Sequence, residues 1–199
     1  MVRNSPQGAD PASLDGLSTK SGLHRQPVSG FVPAPMPANF NAKVNPMTWT
    51  VTIGPGLPGD ENKLNDHLVA AGLTAVADEI GATRFLVVKE SGRIVGCGAL
   101  QPAGTSALMR SLAIAPSFRG QGLGRTLVRE LIDRALRQDL GSVFLLTVDH
   151  AEFFRRMGFR QTDRQNAPDQ ISETEYFRSP CCEHAAFMSF VFPQQRLES

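Results

Sequence analysis

The chain has 199 residues, 41% of them hydrophobic, and its 20 Lys and Arg against 19 Asp and Glu leave a net charge of +1. That size suits one soluble domain with a tail, and the even charge balance offers no footprint for nucleic acid. Three cysteines, Cys97, Cys181 and Cys182, make no Cys-x-x-Cys pair, and no apolar run reaches the length of a membrane span, which argues against a disulfide scaffold and a spanning helix. Without a basic and then apolar start, no secretory signal is predicted, and a cytoplasmic protein with reduced thiols is expected.

Residues 1–46 are rich in Pro, Ser, Gly, Asn and Ala and carry no period. They bury too little apolar surface to offset chain entropy, so a disordered extension is expected there. Residues 48–51 read as a first strand. Residues 60–71 read as a helix with Leu64, Leu68 and Val69 inward, and after Gly72 a short second helix spans 74–80. Residues 85–88 and 94–100 are strands joined by a turn at 90–93, a hairpin pattern. Gly96 and Gly98 fall on one face of the second strand, where they admit a close neighbour or mark a bulge. A turn at 102–105 leads to the central strand, 108–115, closed by Pro116.

That strand runs into Arg119-Gly120-Gln121-Gly122-Leu123-Gly124 and then a helix. Glycines let the backbone turn tightly and bring several N–H groups against one anion, and the helix start adds unpaired N–H groups and a positive dipole end. A pyrophosphate is the natural ligand of such a site; a loop and helix without a ligand is the alternative. A P-loop would need Gly-Lys-Ser or Gly-Lys-Thr, which is absent, and a dinucleotide fingerprint would need G-x-G-x-x-G rather than G-x-G-x-G. In the helix, Leu123, Leu127, Val128, Leu131, Ile132, Ala135 and Leu136 recur at three- and four-residue steps as one buried stripe. Arg125, Arg129, Glu130, Asp133, Arg134 and Arg137 fall opposite, and Gly141 is the expected C′ residue.

Residues 142–148 read as a buried strand. Asp149 is the expected N-cap of a short helix, with Glu152 completing a capping box and Val148 and Phe153 a hydrophobic staple. Gly158 ends that helix, 159–164 start another strand, 166–180 form a long irregular connection, and 185–192 a last strand. A connection that long is functional or mobile.

Arg119-Gly-Gln-Gly-Leu-Gly after a strand ending Ala-Ile-Ala-Pro resembles the acetyl-CoA pyrophosphate motif of the GCN5-related N-acetyltransferases (GNAT), Gln/Arg-x-x-Gly-x-Gly/Ala. Arg119, Gly122 and Gly124 occupy its defined positions. Residues 151–159, Ala-Glu-Phe-Phe-Arg-Arg-Met-Gly-Phe, are similar to that family's last helix and the strand after it. The likeness covers residues 48–192. It implies an α/β (α+β) GNAT fold, a mixed, mostly antiparallel sheet flanked by helices, as a single domain over 47–193, between the disordered 1–46 and a tail at 194–199. It also implies acetyl-CoA as acetyl-donor cosubstrate. The cofactor-binding residues would be Leu112, Ala113 and Ile114 through their backbone, with Arg119, Gly120, Gln121, Gly122, Leu123, Gly124 and Arg125 around the pyrophosphate. A backbone N–H near Leu112 would polarise the thioester carbonyl.

The side-chain chemistry departs from the family. Its frequent glutamate base on the central strand is missing, and its tyrosine acid stands here as Phe154. Tyr176, the chain's single tyrosine, is a candidate acid or a packed loop aromatic. Arg110 is a clamp for a substrate carboxylate or half of a structural salt bridge. His150 is a candidate base or a solvated residue beside a helix cap. Residues 110–114, 144–147 and 151–154 look like the arsenic-resistance branch, whose distal segment is matched by Thr174, Phe177, Cys181, Ala185 and Met188 but broken at Cys182 and His184. Adjacent side chains on an extended chain point to opposite faces, which argues against joint arsenic chelation by Cys181 and Cys182. The expected function is direct acetyl transfer to a small, amino-acid-like amine, with no nucleic-acid or membrane partner, in a monomer or homodimer. The alternatives are a non-catalytic acyl-CoA sensor and a protein N-acetyltransferase.

Overall fold

Short apolar runs separated by glycine- and proline-rich turns build an antiparallel meander, and one strongly periodic helix packs across it. The computed structural model describes residues 41–43, 50–81, 84–179 and 183–193, all within a unit spanning 33–199. Strands β1 (Asn41–Lys43), β2 (Thr50–Pro55), β3 (Phe85–Glu90), β4 (Arg93–Ala103), β5 (Ser106–Ile114), β6 (Ser142–Thr147), β7 (Arg160–Gln161) and β8 (Ala186–Val191) form one sheet in the order β1-β2-β3-β4-β5-β6-β8-β7. Neighbours are antiparallel except β5 and β6, which run parallel. This is the mixed, mostly antiparallel sheet expected. Strand β1 lies inside the span read as disordered, and Cys181 and Cys182 lie outside the described residues.

Helices α3 (Leu123–Arg137) and α4 (Ala151–Arg156) cover one face. Leu127, Val128 and Leu131 pack there on Val88, Met109, Val143 and Met188. The other face carries two groups. Helices α1 (Glu61–Ala70) and α2 (Ala77–Ile80) seal Phe85, Val87, Cys97, Ala99 and Ala113 with Leu64 and Leu68. Helices α5 (Asp169–Ser172) and α6 (Glu175–Arg178), inside the stretch expected to be irregular, cover Leu108, Phe144, Leu146 and Phe187 with Ile171 and Phe177.

Several local expectations change. The stripe on α3 drifts, leaving Leu136 39% exposed and Asp133 buried at 9%. Its C′ residue is Asp139, at φ 53, not Gly141. The Leu140 N–H donates to the Ala135 carbonyl at 3.2 Å and the Asp139 N–H to Leu136 at 3.0 Å, a Schellman pair. Gly141 instead donates its N–H to Thr105 at 2.7 Å. The N-cap of α4 is His150 rather than Asp149, with no side-chain cap. Glu152 pairs forward with Arg155 and with Arg156 at 3.1 Å. Val148 is 66% exposed and makes no staple.

Two irregularities interrupt the middle of the sheet. Between Cys97↔Ala113 and Ala99↔Arg110 the register shifts, so Ser111 and Leu112 oppose Gly98 alone. Ser111 takes φ 57, the left-handed conformation that non-glycine residues seldom adopt. Such a bulge bends its strand. Consistent with that, the pairing of β5 with β6 runs only from Ser106↔Ser142 to Leu108↔Phe144, and the two strands part beyond it.

Candidate active site

The split between β5 and β6 opens beside the glycine loop. Pro116–Phe118 form one 3-10 turn. Gly120 and Gly122 take φ 74 and 83, so both need the conformation glycine allows. Gly122 caps α3, its carbonyl accepting from the Thr126 N–H at 3.1 Å. Among the described residues, the N–H groups of Gly120 through Arg125 meet no protein acceptor. A Cβ built on Gly120 or Gly122 would face open space. These free donors at a helix start, with Arg125 and Arg129 exposed nearby, make an anion cradle.

Arg119 departs from its expected role. Its N–H is taken by the Pro116 carbonyl at 3.2 Å. Its Nε donates to the Ile114 carbonyl at 2.9 Å. Arg119 therefore braces the loop against the strand, and the free N–H set starts at Gly120.

Along β5, the Ala115 N–H donates to the Val95 carbonyl on β4 at 2.8 Å. Alternation then turns the peptide edges of Ile114 and Leu112 toward the split, where no strand pairs with them. Their side chains lie over the β4 glycines. A Cβ on Gly98 would sit 2.9 Å from Leu112 Cδ1 and 2.9 Å from Leu131 Cδ1. Gly98 thus both marks the bulge and admits a close neighbour.

Arg110 shares the sheet face of Leu108, between α1 and α6. Its Nη1 donates to Gln101 Oε1 at 3.0 Å. Its guanidinium lies 4.6 Å from the centroid of Tyr176. Its Nε is buried without a hydrogen-bond partner, and no carboxylate pairs with it among the described residues. Among the described residues the structural salt bridge is therefore not made, and a guanidinium with one unused buried N–H is a group that suits an anion. Tyr176 stacks its ring against that guanidinium.

His150 is exposed at the start of α4, its N–H donating to Thr147 Oγ1 at 3.2 Å. Phe154 is buried at 6% and packs edge-on against Phe153 and Phe159. The Cys97 thiol, beneath the bulge, donates to the Ser111 carbonyl at 3.4 Å, and burial pushes it up to about 12. The sequence reading passed over His67. Leu64, His67, Leu68 and Ala71 make one helical stripe, and a histidine on that stripe was the available signal. His67 Nε2 is buried with no hydrogen-bond partner.

The family model for the acetyltransferase (GNAT) domain matches residues 81–161. An uncharacterised N-acetyltransferase of Chlorobaculum tepidum is 33% identical over 88 residues, 44% of this chain and 56% of that protein. The amino-acid acetyltransferase of Pseudomonas putida (strain GB-1) is 33% identical over 87 residues, 43% of this chain and 20% of that protein. The alignments thus span about half and about a fifth of these relatives. A Mycobacterium tuberculosis protein crystallised in complex with CoA has a TM-score of 0.62 at 22% identity, covering 71% of this chain and 99% of that one. With the sheet, the parting of β5 from β6 and the glycine loop in place, the chain has the GNAT fold, and its residues 81–161 are similar to the acetyltransferase (GNAT) domain.

Proposed function

We propose that the chain transfers an acetyl group from acetyl-CoA directly to the amine of a small, amino-acid-like acceptor. The observation that carries this reading is a backbone anion cradle and a guanidinium fork placed on either side of one strand split. The free N–H groups of Gly120 through Arg125 suit the pyrophosphate. The unpaired edge of Leu112 and the N–H of Ile114 suit the acyl arm, and the Leu112 N–H suits the thioester oxygen, where a fixed dipole stabilises developing charge. Arg110 takes the acceptor carboxylate. Cys97 is no acyl carrier, because a buried thiol pushed up to about 12 supplies almost no thiolate. Phe154 has no proton to give, so the sulfur leaves as a thiolate or takes a proton from elsewhere.

The amino-acid acetyltransferase of Pseudomonas putida supports an amino-acid acceptor. A link to arsenic resistance rests on the likeness of residues 174–188 alone. Among the described residues no helix is long and apolar enough to cross a membrane, and a cytoplasmic setting fits that.

The test is release of free thiol from acetyl-CoA with a panel of amino acids, their decarboxylated amines and lysine peptides. Amino acids should react and the decarboxylated amines should not. Arg110→Ala should raise the KM for the amino acid about 10- to 100-fold, the loss of a charge-assisted pair, and leave that for acetyl-CoA unchanged. Equal effects on both would make Arg110 structural. Acetyl-CoA binding without release across the panel would favour a sensor, and release with lysine peptides alone a protein acceptor.

A further inference from the structure

The far end of α3 stands well away from the glycine loop: Leu123 and Arg134 are about 16 Å apart along the axis, at 1.5 Å per residue. There a cavity of about 300 Å³ is lined by Arg84, Leu100, Pro102, Arg134 and Gln138. Three separate segments build it. Arg84 comes just before β3, Leu100 and Pro102 from β4, and Arg134 and Gln138 from the last turn and C-cap of α3. Leu100 belongs to the core on the α3 face of the sheet, whereas Arg110 lies on the other face with Leu108. The cavity is thus distinct from both the anion cradle and the Arg110 guanidinium. Its described lining holds two guanidiniums, one carboxamide and two apolar side chains, and no carboxylate.

Helix chemistry explains only part of this arrangement. Cations in the last turn of a helix suit its negative dipole end, and Arg134 and Arg137 stand there. Arg137 also has two carboxylates near it, Glu130 and Asp133. Neither point accounts for Arg84, which reaches the same cavity from another segment. Burial lowers the Arg134 pKa, and the like charges of Arg84 and Arg137 lower it further. A guanidinium nevertheless stays charged at pH 7. Two like charges held at one cavity destabilise the fold, and an anion between them reverses the sign of that interaction.

We propose that this cavity is a second ligand site, which binds a small organic dicarboxylate with one carboxylate on Arg84, the other on Arg134 and the carbon chain against Leu100 and Pro102. The planar guanidinium fork matches a carboxylate through two parallel hydrogen bonds. Two guanidiniums call for two anionic groups. The apolar walls favour a ligand with a carbon chain over an inorganic anion, and the Gln138 carboxamide can donate to a carboxylate oxygen or accept from a polar substituent. The volume lies at the small end of ligand pockets, which suits a short-chain acid. This site goes beyond the acetyltransferase reading and stands whether or not that reading holds.

The experiment is calorimetric titration of the whole chain with malonate, succinate and glutarate, whose carboxylates differ in separation by one methylene each. Butyrate, succinamide and inorganic phosphate are titrated beside them at matched ionic strength. At least one dicarboxylate should bind one to one with a Kd of about 1 mM or tighter, and should raise the Tm. Butyrate, succinamide and phosphate should each bind about 10-fold more weakly or not at all. Arg84 is exposed, so Arg84→Gln leaves the fold in place. Arg84→Gln and Arg134→Gln should each weaken dicarboxylate binding about 10-fold or more, whereas Arg160→Gln, at an exposed arginine on β7, should not. Ligand-free Arg84→Gln should melt no lower than wild type, because a like-charge repulsion is gone. Acetyl-CoA affinity should be the same with and without the dicarboxylate. No dicarboxylate binding at about 1 mM or tighter would overturn the proposal. So would full affinity in folded Arg84→Gln, an equal loss in Arg160→Gln, or phosphate binding as tightly as the dicarboxylate. Competition with acetyl-CoA would place the dicarboxylate on the glycine loop and overturn it as well.

Discussion

Gly98 has no room for a side chain, because Leu112 and Leu131 already occupy the space above it. Gly98→Ala should therefore cost about 1–3 kcal/mol, the usual range for overpacking a filled site. Denaturant unfolding measures it, and an unchanged midpoint would mean that Leu112 and Leu131 step aside freely. The substitution also presses on Leu112, so acetyl-CoA affinity should fall with stability. The sequence made this residue visible as a glycine inside a strand, but its partners lie 14 and 33 positions away and no local pattern names them. Arg119 shows the same limit. Its place in the motif was plain, whereas the capture of its N–H by Pro116 and of its Nε by Ile114 depends on the turn between them. His67 was passed over because the inner face of its helix was read for aliphatic residues alone.

At the scale of elements, period and punctuation revealed what short-range physics controls. The stripe on α3, the hairpin of β3 and β4 and the loop before α3 all follow from spacing within one segment. Helix ends were less legible. Two glycine-like positions compete after α3, and Asp139 takes the left-handed one while Gly141 serves the Thr105 carbonyl. Asp139→Gly should consequently raise stability by about 0.5–1 kcal/mol, since glycine adopts that conformation without a Cβ penalty. Thermal unfolding checks it, and a lowered Tm would show that the Asp139 side chain stabilises the turn. Helices α5 and α6 escaped notice because each is a single turn. Their stability comes from packing Ile171 and Phe177 on the sheet rather than from propensity.

For the whole molecule, the site is a consequence of register. Two-for-one pairing opposite Gly98 bends β5, its pairing with β6 stops at Leu108↔Phe144, and the split opens where the glycine loop presents its N–H groups. Helices α1 and α6 stand on one face of the sheet, where Arg110 stacks on Tyr176. None of this was readable from periodicity, because a bulge and a strand's point of departure depend on pairings between distant segments. The resemblance implied the fold and the cradle and drew attention to Arg110, whereas the partners that surround Arg110 came from the coordinates. The central claim is that the cradle holds the pyrophosphate of acetyl-CoA. Its most direct test is calorimetric titration of acetyl-CoA into the wild-type protein and into Gly122→Trp, with circular dichroism to show that both are folded. The account predicts saturable one-to-one binding by the wild type and none by the variant, whose indole would fill the open space at Gly122. Equal affinity in the two folded proteins, or no binding by the wild type, would contradict it.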